Sequence, residues 1–224
     1  MKFTLDTTLA TNLETDCLVI GVFENEPLQG SAELVDKASD GALQQLIDSG
    51  DVNTDWKDTT LLHGLKGVTA NRILILGCGE AEKLNSVRYD KFCLSAGAFL
   101  NDHITKNAHF CLHEIDVKDT TDHWRLRQAA VNLEKTSYRY TTTKAPKDDD
   151  MQPLNSVSFN ADTAMQSALK EASGIAKGYL RSTELGNLPP NICTPDYLAE
   201  IAREITNSNK NVSLEVLDEE QMAE

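Results

Sequence analysis

Two unbroken apolar runs constrain the fold of this chain more than any other feature. Residues 17–23 read CLVIGVF and residues 72–77 read RILILG. Neither alternates polar with apolar, so neither suits a strand with one wet face. Each suits a strand covered on both sides, as in a parallel sheet flanked by helices. Residues 59–63 (TTLLH) and 108–113 (AHFCLH) are weaker strand candidates. Helical spacing fills the gaps. Leu34, Ala38, Ala42 and Leu46 recur every fourth residue across 33–47, a second helix is expected over 86–100, and a third over 122–138 carries Leu126, Ala130 and Leu133. Strands alternating with helices predict an α/β domain with a mixed, mostly parallel sheet.

Residues 141–155 (TTTKAPKDDDMQPLN) break this pattern with two prolines and an acidic triplet, and read as a long loop. Residues 156–160 (SVSFN) are expected to return a strand to the first sheet. A long helix follows over 162–185, with Met165, Leu169, Ala172, Ile175 or Ala176, and Tyr179 on one stripe. Gly174 and Gly178, one turn apart, predict close packing against another backbone.

The stretch LGNLPPNICTPDYLAE (residues 185–200) is a guarded junction. Gly186 suits a left-handed helix cap. Pro189 and Pro190 forbid helical continuation. Thr194 suits an N-cap, Pro195 the first helical position and Asp196 the positive helix end. Leu198, Ile201, Ala202 and Ile205 then form an apolar stripe, and residues 211–217 (NVSLEVL) alternate as a strand, with Val212, Leu214 and Val216 on one face. Asp218 opens another helix. A lone strand cannot bury its face by itself, so this unit is expected to begin a second α/β domain whose remainder lies beyond residue 224. The alternative is a strand added to the edge of the first sheet.

The chain has 224 residues, 40% hydrophobic and 25% charged, an ordinary composition for a globular protein. Its formal charge of −14 argues against nucleic-acid partners and anionic membrane surfaces. The apolar runs are far shorter than the ~20 residues of a membrane helix, and the N-terminus lacks the apolar core of a secretion signal. A cytoplasmic location is the expectation. Five cysteines, widely spaced and without a CxxC pair, predict reduced, buried thiols rather than a disulfide framework.

Chemistry is sparse. Gly77-Cys78-Gly79-Glu80 follows a strand, but Glu82 stands where a dinucleotide loop needs its third glycine, and acidic residues repel a pyrophosphate. A structural turn is the reading. His109, Cys111 and His113 alternate and would share one face of a strand, a spacing open to zinc or to an ordinary mixture of core and surface histidines. The Asp148–Asp150 triplet reads as a solvated loop. No GxSxG elbow, phosphate loop or HExxH pair occurs. No catalytic, metal or cofactor-binding residue is assigned.

Several stretches resemble a known family. RILILGCGEAEKLNSVRYDKFCLSAGAFL is similar to a signature of the N-terminal domain of leucine (cytosol) aminopeptidases, and STELGNLPPNICTPDYLAEIA (residues 182–202) to their interdomain junction. CLVIGVFENEPL, DKASDGAL and HWRLRQAA resemble the bacterial members. The resemblance covers nearly the whole chain. It implies a macro-like N-terminal domain over 1–160, a linking helix over 161–186 and the start of a catalytic domain over 187–224. It implies a catalytic domain holding two divalent metals, manganese or zinc, in segments resembling VGKG and NTDAEGRL, which do not occur here. It further implies peptide substrates, a homo-hexamer, and an inactive fragment that serves assembly and active-site access. The alternative is a free-standing macro-like module binding a nucleotide such as ADP-ribose.

Overall fold

The computed structural model describes residues 1–103, 105–144 and 154–223. Its elements in chain order are β1 (Lys2–Leu5), β2 (Cys17–Phe23), α1 (Gly30–Ala38), α2 (Ala42–Asp48), β3 (Thr59–His63), β4 (Arg72–Gly79), α3 (Ser86–Asp102) and β5 (Asn107–Phe110). These are followed by α4 (Asp122–Thr136), β6 (Ser156–Phe159), α5 (Gln166–Asn187), α6 (Pro195–Ser208) and α7 (Glu219–Met222). The six strands form one sheet in the order β1-β6-β5-β2-β4-β3. Only β3, against β4, runs antiparallel. The architecture is α/β with a mixed, mostly parallel sheet.

The two apolar runs lie at its centre as adjacent parallel strands, Leu18 beside Ile73 and Ile20 beside Ile75. Both faces of each are buried, which is why neither run alternates. Val19, Leu74 and Leu76 point to one layer, where Tyr89 and Phe92 of α3, Leu126 and Leu133 of α4 and Leu169 of α5 close the core. Leu18, Ile20, Ile73 and Ile75 point to the other, against Val35 of α1 and Leu43 of α2.

Local chemistry explains where the elements depart from expectation. The helix expected over 33–47 is two helices. Asp40 and Gly41 both take left-handed φ, +58° and +83°, and Gly41 N–H closes onto Asp36 O, so the first helix stops. The strand expected over 108–113 ends at Phe110, because Cys111 turns to φ −105°, ψ 1° and residues 112–114 form a tight 3-10 turn. Strand β1 was not expected; its four residues are too few to show a period.

The chain divides into two compact units: one built on Met1–Arg139 and the chain leading up to Leu180, the other on Tyr140–Lys144 and the chain from Arg181 onward. In the second, Thr194 caps α6 by accepting from Tyr197 N–H, and Pro195 opens the helix. Asp218 and Gln221 form a reciprocal capping box on α7. Gly186 is not a cap. It lies inside α5 and is absent from the glycines with positive φ. Nor do Gly174 and Gly178 meet another backbone among the described residues; no atom lies within 4 Å of a Cβ placed on either. Residues 211–217 form no strand here, and Val212, Leu214 and Val216 remain 46%, 39% and 44% exposed. The edge-strand alternative fails with them, since none of the sheet's six strands comes from this segment.

Candidate functional site

In an open α/β sheet, ligands bind outside the C-terminal strand ends at the point where successive connections leave for opposite faces. Here that point lies between β2 and β5. The chain leaves β2 for α1 on one face of the sheet, and reaches β5 through α3 on the other. The crevice is bounded by Gly21–Phe23, by Gly30 and Ser31 at the start of α1, and by Cys111, Glu114 and Ile115 after β5.

The chain fills this crevice itself. The Glu114 carboxylate sits at the N-terminus of α1, where an anionic ligand would be favoured. It accepts from Ser31 N–H at 2.9 Å, from the Ser31 hydroxyl at 2.9 Å and from Asn160 Nδ2 at 2.7 Å. Gly30, at φ +54°, has no room for a side chain, because its Cβ would lie 2.8 Å from Glu114 Oε2. Ile115 covers β2 so closely that a Cβ on Gly21 would meet Ile115 Cδ1 at 2.4 Å. The remaining cavity is about 40 Å³, room for roughly three or four waters at ~10–15 Å³ each and far below the ~300 Å³ of a small-molecule pocket. A nucleotide has no place at the position the topology offers.

The residues singled out for possible metal binding do not converge. His109 is fully buried, with Nδ1 2.8 Å from the Ser158 hydroxyl, and burial lowers its pKa to about 4. Its Nε2 has no partner among the described residues. The strand ends before His113, so the alternation that would put both histidines on one face is broken. His113 lies with Nδ1 3.1 Å from Phe110 O and Nε2 3.0 Å from Asn160 O. Burial lowers its pKa as well, and a neutral ring, with one N–H, donates to one of these carbonyls. The Cys111 thiol is pushed well up by burial, which leaves it inert as a nucleophile. Among the described residues, no three His, Cys, Asp or Glu side chains are grouped to hold a metal ion. Asp148–Asp150 lie outside the described residues.

The glycines of Gly77-Cys78-Gly79 serve close packing. Residues 54–58 fold against this end of β4: Lys57 N–H donates to Gly77 O, Gly77 N–H to Asp58 O and Gly79 N–H to Thr54 O. A Cβ on Gly77 would stand 2.0 Å from Asp55 O. The tight turn expected here does not form: Gly77, Cys78 and Gly79 are the last residues of β4, and Gly79 ends the strand at φ +65°.

Residue-by-residue reading missed Glu114, Ser31, Asn160 and Arg125. Arg125, only 7% exposed, donates through Nε to His113 O at 3.2 Å, through Nη1 to Asp116 at 3.2 Å and Thr120 at 3.3 Å, and through Nη2 to Asp122 at 2.5 Å. It pins the segment that carries Glu114. The available signal was a charged residue beside Leu126 on the apolar side of α4.

Comparisons with known proteins agree with this architecture. A model of the cytosol aminopeptidase family's N-terminal domain matches residues 19–147. A "probable cytosol aminopeptidase" of Stenotrophomonas maltophilia is 38% identical over 222 residues, 99% of this chain and 45% of the relative. The cytosol aminopeptidase of Haemophilus influenzae is 35% identical over 224 residues, 100% of this chain and again 45% of the relative. The chain therefore spans less than half the length of the curated relatives it matches. Among solved structures, a mutant of tomato leucine aminopeptidase superposes with a TM-score of 0.78 at 20% identity, covering 100% of this chain and 45% of that one. The bottromycin maturation enzyme BotP superposes with a TM-score of 0.69 at 16% identity, covering 93% and 40%. The chain belongs to the cytosol aminopeptidase family, whose N-terminal domain it carries.

Proposed function

We propose that this chain is the N-terminal region of a leucyl aminopeptidase, which releases N-terminal residues from peptides by two-metal hydrolysis in a C-terminal domain. The observation that carries this reading is the 38% identity over 99% of the chain, confined to 45% of the relative. Two nearby cations activate a water and stabilise the developing oxyanion in such chemistry. Manganese or zinc would serve, and one structural neighbour, BotP, was solved in complex with Mn. Among the described residues of this chain no three His, Cys, Asp or Glu side chains are grouped to hold a metal ion, and in this reading the ligands stand in the C-terminal domain. Their part is assembly and access to the active sites of a homo-hexamer. The name of the relatives favours the cytosol, and among the described residues no helix is long and apolar enough to cross a membrane. The charge of −14 argues against nucleic acid.

The exposed stripe of α6 and the alternating Val212, Leu214 and Val216 are, in this reading, the first helix and strand of the catalytic domain. A nucleotide-binding module is disfavoured by Glu114 in its crevice. The test is hydrolysis of leucine anilides with added Mn²⁺ or Zn²⁺. The 224-residue chain is expected to give no chelator-sensitive turnover, and a longer chain carrying the relatives' second half to give it. Chelator-sensitive turnover by the shorter chain would defeat the assignment of chemistry to the second domain.

A further inference from the structure

Among the described residues, strand β1 is an edge of the sheet, paired on one side only, with β6. Lys2 N–H donates to Asn155 O and Asp6 N–H donates to Phe159 O. Residues 2, 4 and 6 therefore turn their backbone groups inward to β6. By alternation, Phe3 and Leu5 direct their N–H and C=O groups away from the sheet. An open edge of this kind is a template for another strand.

The sequence of this edge is complementary to itself. We propose that β1 pairs antiparallel with β1 of a second copy of this chain, about a two-fold axis at Thr4. In that register Phe3 faces the partner's Leu5, and both are the outward-turned residues that an antiparallel pair bonds in both directions. Four backbone hydrogen bonds follow. Lys2 faces the partner's Asp6, and Thr4 faces the partner's Thr4, as non-hydrogen-bonded pairs whose side chains approach closely. A register shifted by one residue sets outward groups against inward ones. A shift by two loses the Lys2–Asp6 pairing.

The surroundings fit the same occupant. Lys2 and Thr4 are exposed and Phe3 and Leu5 half-buried, so neither pair must break into the core. Asp6 is anionic, its carboxyl held below the usual range by Thr8 N–H at 2.9 Å. On the α5 side, Met1 and Phe3 share a groove with Leu169 and Gly174, and a Cβ on Gly174 would meet nothing within 4 Å. This bare strip leaves room for the partner's Leu5. A lysine on an edge strand ordinarily blocks pairing; here Asp6 supplies its opposite charge. The interface does not rest on the aminopeptidase reading, and its test involves no catalysis.

Thr4→Cys places two thiols on the axis, with Cα atoms about 4.5 Å apart, within disulfide range. The test background is Cys193→Ser, because the other four cysteines are buried. Under mild oxidation Thr4→Cys is expected to cross-link into a dimer. Lys2→Cys, whose thiols would sit about 13 Å apart along the ladder, should link at least about tenfold more slowly. In sedimentation, Lys2→Asp should weaken dimerisation about tenfold, and the double variant Lys2→Asp/Asp6→Lys should restore it. Circular dichroism checks that each variant is folded. Equal cross-linking at both positions, a double variant no tighter than the single, or a parent chain that stays monomeric would each overturn the pairing.

Discussion

Removing the Glu114 carboxylate leaves Ser31 N–H, the Ser31 hydroxyl and Asn160 Nδ2 facing a small cavity without their acceptor. Unsatisfied buried donors cost more than a hydrogen bond gains, so Glu114→Ala should destabilise the first unit by about 2–4 kcal/mol. Glu114→Gln, which keeps an acceptor, should cost about half as much. Urea unfolding measures both, and a loss below ~0.5 kcal/mol for the alanine variant would show the carboxylate to be spare. His109 makes a pH prediction of defined sign. Its folded pKa of about 4 lies below the ~6.5 of an unfolded histidine. Between those values the unfolded chain binds a proton that the native chain refuses, so stability falls as pH falls through this window. The loss is about 3 kcal/mol when the shift is taken whole. His109→Gln should flatten the part of the acid limb that His109 contributes. His113, shifted in the same direction, keeps the remainder, and an unchanged limb in the variant would show that His109 is not the group responsible.

The elements legible in the sequence are those whose packing imposes a period or an unbroken run. β2 and β4 are apolar because the sheet buries both their faces, and α4 shows its stripe because it covers the sheet from one side. β1 has only Phe3 and Leu5 to show, too little for a period. The candidate site was less legible than the fold. Glu114, Ser31 and Asn160 lie on three separate segments, and only the sheet order brings them together. Two glycines test the element boundaries in opposite directions. Gly186, read from sequence as a cap, lies inside α5 with open space around it. Gly186→Ala should therefore stabilise the helix by about 0.5–1 kcal/mol, seen as raised helicity and a higher melting temperature. A left-handed cap would instead make alanine costly by about 1 kcal/mol. Gly77 sits under the backbone of residues 54–55. Gly77→Ala should cost about 1–3 kcal/mol or more, with new proteolytic cleavage near Trp56 as that loop lifts away.

At the scale of the whole chain, sequence and structure part company after α5. The helix-start signals beyond Gly186 are fulfilled, with Thr194 capping α6 and Asp218 capping α7, because an N-cap is settled by residues within one turn. The strand signal of residues 211–217 is not fulfilled, because a strand needs a neighbour. Val212, Leu214 and Val216 stay exposed, and α6 buries none of its residues. In the proposed reading this apolar alternation with no ladder is a strand that pairs within the second half of the relatives, which are more than twice as long as this chain. Hydrogen exchange distinguishes this from a segment that has no partner at all. In the 224-residue chain, amides of residues 212–217 should exchange at nearly the unprotected rate, while β2 and β4 approach the protection set by global unfolding. In a chain extended by the relatives' second half, the same amides should slow by at least about a hundredfold, since a ladder in a folded sheet opens only at a cost of several kcal/mol. Protection already present in the short chain would mean that the segment has found its neighbours without the second half. Exchange that stays fast in the long chain would remove residues 211–217 from the catalytic domain's sheet, while leaving the family assignment of residues 19–147 untouched.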